Sequence, residues 1–154
     1  MIQRIQSLYL VAIAILLGFL VFFPIADLVR ISDESIYSFS LKGLVTANGD
    51  IVPNFSAYPI SILFAIGLAI TLTTIFLYKK RMLQIRLTVF NIVTFLGLQG
   101  VMYYYVSFAQ SSMEGVVSYK LFFVFPTVCA ILAFLALRAI ARDEALVRSL
   151  DRLR

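Results

Sequence analysis

Two carboxylates stand side by side at Asp143 and Glu144, and Arg148, Asp151 and Arg152 follow closely. Paired carboxylates do acid and base chemistry when both point at one bond. Neighbours one apart on a helix point in different directions, so this pair builds no such site. The rest of the catalytic repertoire is missing. The chain has no histidine and one cysteine, Cys129, with no cluster of metal-ligating side chains and no glycine loop to cradle phosphate. A chain without enzymatic activity, cofactor or metal is expected. Cys129 lies deep in an apolar run and reads as a small packing residue.

The same arm has a second chemistry. On a helix turning 100° per residue, Leu146, Leu150 and Leu153 fall within an arc of about 60°, with Glu144, Arg148, Asp151 and Arg152 opposite. Glu144 and Arg148 stand in the favourable i,i+4 order, and Arg148 with Asp151 and Asp151 with Arg154 are i,i+3 pairs. Each pair adds only a few tenths of a kcal/mol, whereas burying each leucine contributes roughly 1.5 to 3 kcal/mol. Burial governs, so the arm is expected to lie against an apolar surface. From Arg138 onward there are five basic and three acidic residues, a mixture that suits a protein surface better than a polybasic lipid clamp. The candidate docking residues are therefore Arg4, Asp143, Glu144, Leu146, Arg148, Leu150, Asp151, Arg152 and Leu153, with Arg4 expected to pair with Asp143 or Glu144 and close the two chain ends together.

What must position these groups is a membrane domain. The chain is 62% apolar and 14% charged, with a mean hydropathy of +0.98, outside the range of soluble domains. Apolar runs cover about 5–23, 58–78, 87–108 and 119–140, each long enough to cross about 30 Å of hydrocarbon. Without water, backbone amides must bond within their own segment, which selects helices. The expected fold is one all-α domain over 1–154. It is a bundle of four transmembrane helices, with a small extracytoplasmic β-hairpin in the loop 24–57 and a cytoplasmic amphipathic helix over 141–154. Pro59 suits a first helical turn, while Pro126, inside the fourth run, predicts a bend there.

Charge sets the expected orientation. Arg4, the segment "KKRMLQIR" and the tail carry ten of the basic residues, against Arg30, Lys42 and Lys120 on the opposite side. Basic loops stay in the cytoplasm, so both termini are expected there. The net charge of +5 is thus a topology signal, and no nucleic-acid partner is expected. The expected partners are the lipid bilayer and a membrane or cytoplasmic protein.

Within the loop, "SIYSFSLK" alternates, with Tyr37, Phe39 and Leu41 on one face, and Asn48 and Gly49 suit a tight turn between Val45 and Ile51. A hairpin or three-strand meander on the helix ends follows. Polar groups in the runs reduce largely to Thr71, Thr73, Thr74, Thr88, Asn91, Thr94 and Gln99, and Asn91 and Gln99 are expected to face other helices. Ser61, Ala65, Ala69 and Thr73, and Ala14 with Gly18, have the spacing of close helix contact.

The opening "MIQRIQ", the closing "RDEALVRSLDRLR" and four spans around one longer outer loop resemble an uncharacterised four-span integral membrane family of Bacteroidota, a domain of unknown function. The resemblance covers the whole chain. It implies the inner membrane of a Gram-negative bacterium and supplies no activity, ligand or catalytic residue. The leading expectation is a non-enzymatic membrane subunit or assembly partner that docks through its cytoplasmic tail. The competing one is a small transporter or channel for an apolar or lipid-like substrate.

Overall fold

The computed structural model describes residues 3–31, 35–46, 49–77 and 80–151; the side chains of 3, 4, 51, 53–56 and 146–151 fall outside it. Four helices dominate: α1 (Gln3–Phe22), α2 (Tyr58–Phe76), α3 (Arg81–Met113) and α4 (Phe125–Asp151). All four are long and apolar enough to cross a membrane. Each buries one stripe, at alternating spacings of three and four on α1 and α2. On α1 it is Gln6, Leu10, Ile13, Leu17 and Leu20; on α2 it is Ile60, Phe64, Gly67, Thr71 and Thr74. The stripe of α3 runs from Gln84 through Asn91, Phe95 and Leu98 to Met113. That spacing keeps one face inward as the helix turns, and the helices close a ring in which each packs on its two chain neighbours, α1 meeting α4.

The small residues that pack are on α4. Cys129, Ala130, Ala133 and Ala136 are buried, and they let α1 and α3 approach it closely. The expected stripe on α2 faces the other way, since Ala65, Ala69 and Thr73 are exposed. A strict repeat of four drifts around a helix of 3.6 residues per turn, and the heavier Ile60 and Phe64 take the inward face instead. Gly67 does make a close approach: a Cβ there would sit 3.0 Å from the Phe95 ring.

Five short strands cap one end: β1 (Ala26–Arg30), β2 (Ile36–Ser40), β3 (Gly43–Thr46), β4 (Ile51–Ser56) and β5 (Gly115–Tyr119). They form one antiparallel sheet in the order β4-β3-β2-β1-β5. The expected hairpin is therefore part of a larger sheet. Val45 pairs with Ile51 as the turn residues implied, and Gly49 takes the positive φ of 89° that this connection needs. Asn48 lies outside the described residues. Beyond that hairpin, the sheet recruits β1 from the end of α1 and β5 from the far side of α3. Glu114, in the left-handed region at φ 47°, reverses the chain between α3 and β5. The inner face of the sheet buries Ala26, Leu28, Phe39 and Leu44 on the bundle, and β4 at one edge carries Pro53, which has no N–H to offer a ladder.

Three helix boundaries differ from the apolar runs. The segment "RMLQIR" is not a connection: α3 begins at Arg81 and spans 33 residues, because Gln84 continues its buried stripe and the arginines reach out from the first turns. The fourth run opens with a 3-10 turn (Leu121–Val124), and α4 starts at Phe125. Pro126 thus falls in the first turn of α4, where a missing N–H breaks no bond, instead of bending the middle of a span. The tail is not a separate helix either; α4 continues unbroken to Asp151.

Candidate functional site

The end of the bundle opposite the sheet gathers the ionisable groups. Asp143 is the last buried position of the α4 stripe among the described residues, only 8% exposed. The Gln6 amide, one turn below Leu10 on the α1 stripe, donates to Asp143 Oδ2 at 2.5 Å and to the Ala139 carbonyl at 3.2 Å. From the first turn of α3, Arg81 Nη1 donates to the Asp143 backbone carbonyl at 3.4 Å. One turn of α4 thereby ties together α1, α3 and α4. A buried carboxylate is costly unless its oxygens are bonded, and Gln6 supplies a donor where water is scarce.

Of the expected docking residues, Asp143 is thus a structural node, and Glu144 lines a cleft of about 410 Å³ with Lys80, Arg81, Met82 and Leu83. The side chains of Arg4, Leu146, Arg148, Leu150 and Asp151 lie outside the described residues, as do Arg152 and Leu153 entirely. The residues that sequence reasoning missed are Gln6 and Arg81. A signal for Gln6 was present: it stands four before Leu10 and seven before Ile13, on the face that must be buried, so its amide needed a partner.

Polar groups inside the bundle pair across and along the helices, except Asn91 Oδ1, which has no partner among the described residues. Asn91 Nδ2 donates to Thr71 Oγ1 at 2.7 Å, and Thr71 passes its own proton to the Gly67 carbonyl at 2.8 Å. Gln84 reaches the Thr74 carbonyl at 3.3 Å, and Thr127 donates to Gln99 Oε1 at 3.2 Å. Asn91 and Gln99 therefore face other helices. Thr73, exposed, and Thr94, half-buried, donate their hydroxyls to carbonyls one turn earlier, at 2.7 and 2.9 Å. No group of three His, Cys, Asp or Glu close enough to hold a metal occurs among the described residues.

The sheet end has a different chemistry. Asp27, pointing away from the bundle, accepts from Ser38 Oγ at 3.1 Å and pairs with Lys120 Nζ at 2.8 Å. Beneath it lies an aromatic layer where Phe23 stacks on Phe122 at 4.6 Å between centroids, and Phe122 meets Phe125 edge-on at 5.1 Å. Phe22, Tyr58, Tyr103 and Tyr104 are exposed. Another cleft, of about 440 Å³, lies between Arg30 and Ile31 and the end of α3 at Ser111 to Glu114.

No curated protein matches this chain. The family model described as "Domain of unknown function (DUF4293)" matches residues 2–153, nearly all of the sequence. With the four apolar helices, the capping sheet and all but the first and last residues of the terminal strings inside that match, the chain belongs to the DUF4293 family.

Proposed function

We propose that this is a multi-pass protein of the inner membrane of a Gram-negative bacterium, a member of the Bacteroidota, with both termini in the cytoplasm. It acts as a non-enzymatic subunit or assembly partner that docks through the cytoplasmic extension of α4. The basic excess of the sequence, ten residues in the N-terminus, "KKRMLQIR" and the tail against three elsewhere, supports the orientation, and exposed aromatic side chains such as Phe22 and Tyr58 beside the sheet suit the other boundary.

The observation that carries the docking reading is the length of α4. Its 27 residues reach about 40 Å, past a hydrocarbon layer of about 30 Å, as one continuous helix. The node at Asp143 fixes the helix where it leaves the bundle, and the backbone of α4 continues from there to Asp151 without a loose tether. An amphipathic helix presented rigidly loses less entropy on docking.

The test is truncation after Ala145, which removes the stripe and spares Asp143, combined with photocrosslinking from position 150 in living cells. Normal membrane abundance with loss of complementation of a deletion strain, and one specific protein crosslink, is the expected result. Full complementation by the truncated chain at normal abundance would overturn the reading.

A further inference from the structure

Along the seam of α1 and α4 at the basic end runs a cleft of about 250 Å³, lined by Ile5, Tyr9, Leu135, Arg138, Ala139 and Arg142. The helix period explains the grouping. Ile5 and Tyr9 are one turn apart on α1, and the four α4 residues occupy i, i+3, i+4 and i+7. Behind the cleft, Gln6 bonds both Ala139 and Asp143 and locks the two helices together, so the walls are fixed before anything enters.

Its lining has two characters. Ile5, Tyr9 and Leu135 form an apolar trough that is open to the outside, with Ile5 exposed and Tyr9 half-buried. Arg138 and Arg142 are both exposed, and among the described residues neither makes a hydrogen bond or an ion pair. The adjacent carboxylate cannot neutralise them cheaply, because Asp143 already accepts the Gln6 amide in its buried position. Two unpaired guanidinium groups one turn apart match the oxygens of a phosphodiester, and an apolar trough beside them matches an acyl chain. The cleft lies near the end of the apolar segment Leu121–Ala145, which the membrane placement proposed above sets close to the headgroups.

We propose that this cleft is a binding site for an anionic membrane phospholipid, with the phosphate held between Arg138 and Arg142 and an acyl chain along Ile5, Tyr9 and Leu135. The inference rests on the membrane placement proposed above and not on the docking arm. Of the mixed charge counted from Arg138 onward, only Arg138 and Arg142 line the cleft.

The experiment uses the full chain in nanodiscs of phosphatidylcholine doped with phosphatidylglycerol, and reads lipids retained on the protein by native mass spectrometry. Preferential retention of phosphatidylglycerol is expected, and Arg138→Gln with Arg142→Gln should lower that preference by roughly 30-fold at about one interfacial charge contribution per arginine. Lys80→Gln with Arg86→Gln removes the same charge from the same end outside the cleft and should lower it far less. Equal losses from the two double variants would mean a general surface-charge effect and overturn the site. Displacement of the lipid by millimolar inorganic phosphate would assign the arginines to a free anion and also overturn it. All variants are compared at equal helical content by circular dichroism, and Arg138→Lys with Arg142→Lys should retain more preference than the Gln pair. Recovery of the chain outside the membrane fraction would sink the membrane placement itself, a result distinct from equal retention of both lipids.

Discussion

The two ends of the bundle are closed by opposite means. At the sheet end the backbone does it: five antiparallel strands satisfy one another's amides, and a continuous apolar face from Ala26 to Leu44 sits beneath them. At the basic end the helices simply run on, and closure comes from the side chains of Gln6 and Arg81 meeting at Asp143. A sheet cap standing in water gains from hydrophobic burial, whereas a side-chain node contributes only the difference between bonded and solvated polar groups. One end is closed by burial, whereas at the other the guanidinium groups of Arg138 and Arg142 have no partner among the described residues, and there the docking and lipid-binding proposals are placed.

The sharpest test sets Phe39 in the sheet core against Phe95 in the bundle, both essentially fully buried. Phe39→Ala is expected to cost about 3 to 5 kcal/mol. Phe95→Ala should cost clearly less, because in the membrane an unpacked helix still faces hydrocarbon and only packing is lost. Unfolding of each variant in mixed micelles measures both, and equal losses would break the claim that water drives closure at the sheet end alone.

A middle-sized effect is expected at the node. Gln6→Leu leaves the buried Asp143 carboxylate short of its side-chain donor and should destabilise by about 1 to 3 kcal/mol. Adding Asp143→Leu should recover part of that loss, with a coupling on the order of 1 kcal/mol in a double-mutant cycle. Additive losses would show that the two residues stabilise the end independently.

The smallest belongs to the ion pair on the sheet. Asp27 and Lys120 are 27% and 35% exposed, so Asp27→Asn should cost only about 0.2 to 1 kcal/mol. The loss should shrink further when unfolding is repeated at 1 M salt, where the Debye length is about 3 Å. A loss that matched the Phe39 variant would mean that charge, and not burial, holds the cap.

How much of this was legible follows from the range of each signal. Four spans could be read because hydropathy is a sum over neighbouring residues, and no long-range knowledge is needed to see that 58–78 favours lipid. The pairing of Val45 with Ile51 was readable for the same reason, since the turn at Gly49 lies between them. Strands β1 and β5 were hidden. "ADLVR" and "GVVSY" are too short to show a period, each adjoins an apolar helix, and their partnership joins Ala26 to Tyr119 across the two helices α2 and α3. The Gln6 bond to Asp143, spanning 137 positions, was hidden likewise, although the buried amide announced that some partner was required.

Local composition alone therefore determined the number of apolar helices, the basic end and the apolar rest of the chain, because transfer from water to hydrocarbon is counted residue by residue. Only the tertiary structure decided which face of each helix turns inward, that Gln6 and not Arg81 supplies the bond to the Asp143 carboxylate among the described residues, and that Arg138 and Arg142 flank a trough on α1. Those outcomes depend on which surfaces fit when four helices close a ring, a property of all the pairs together that no stretch of sequence contains.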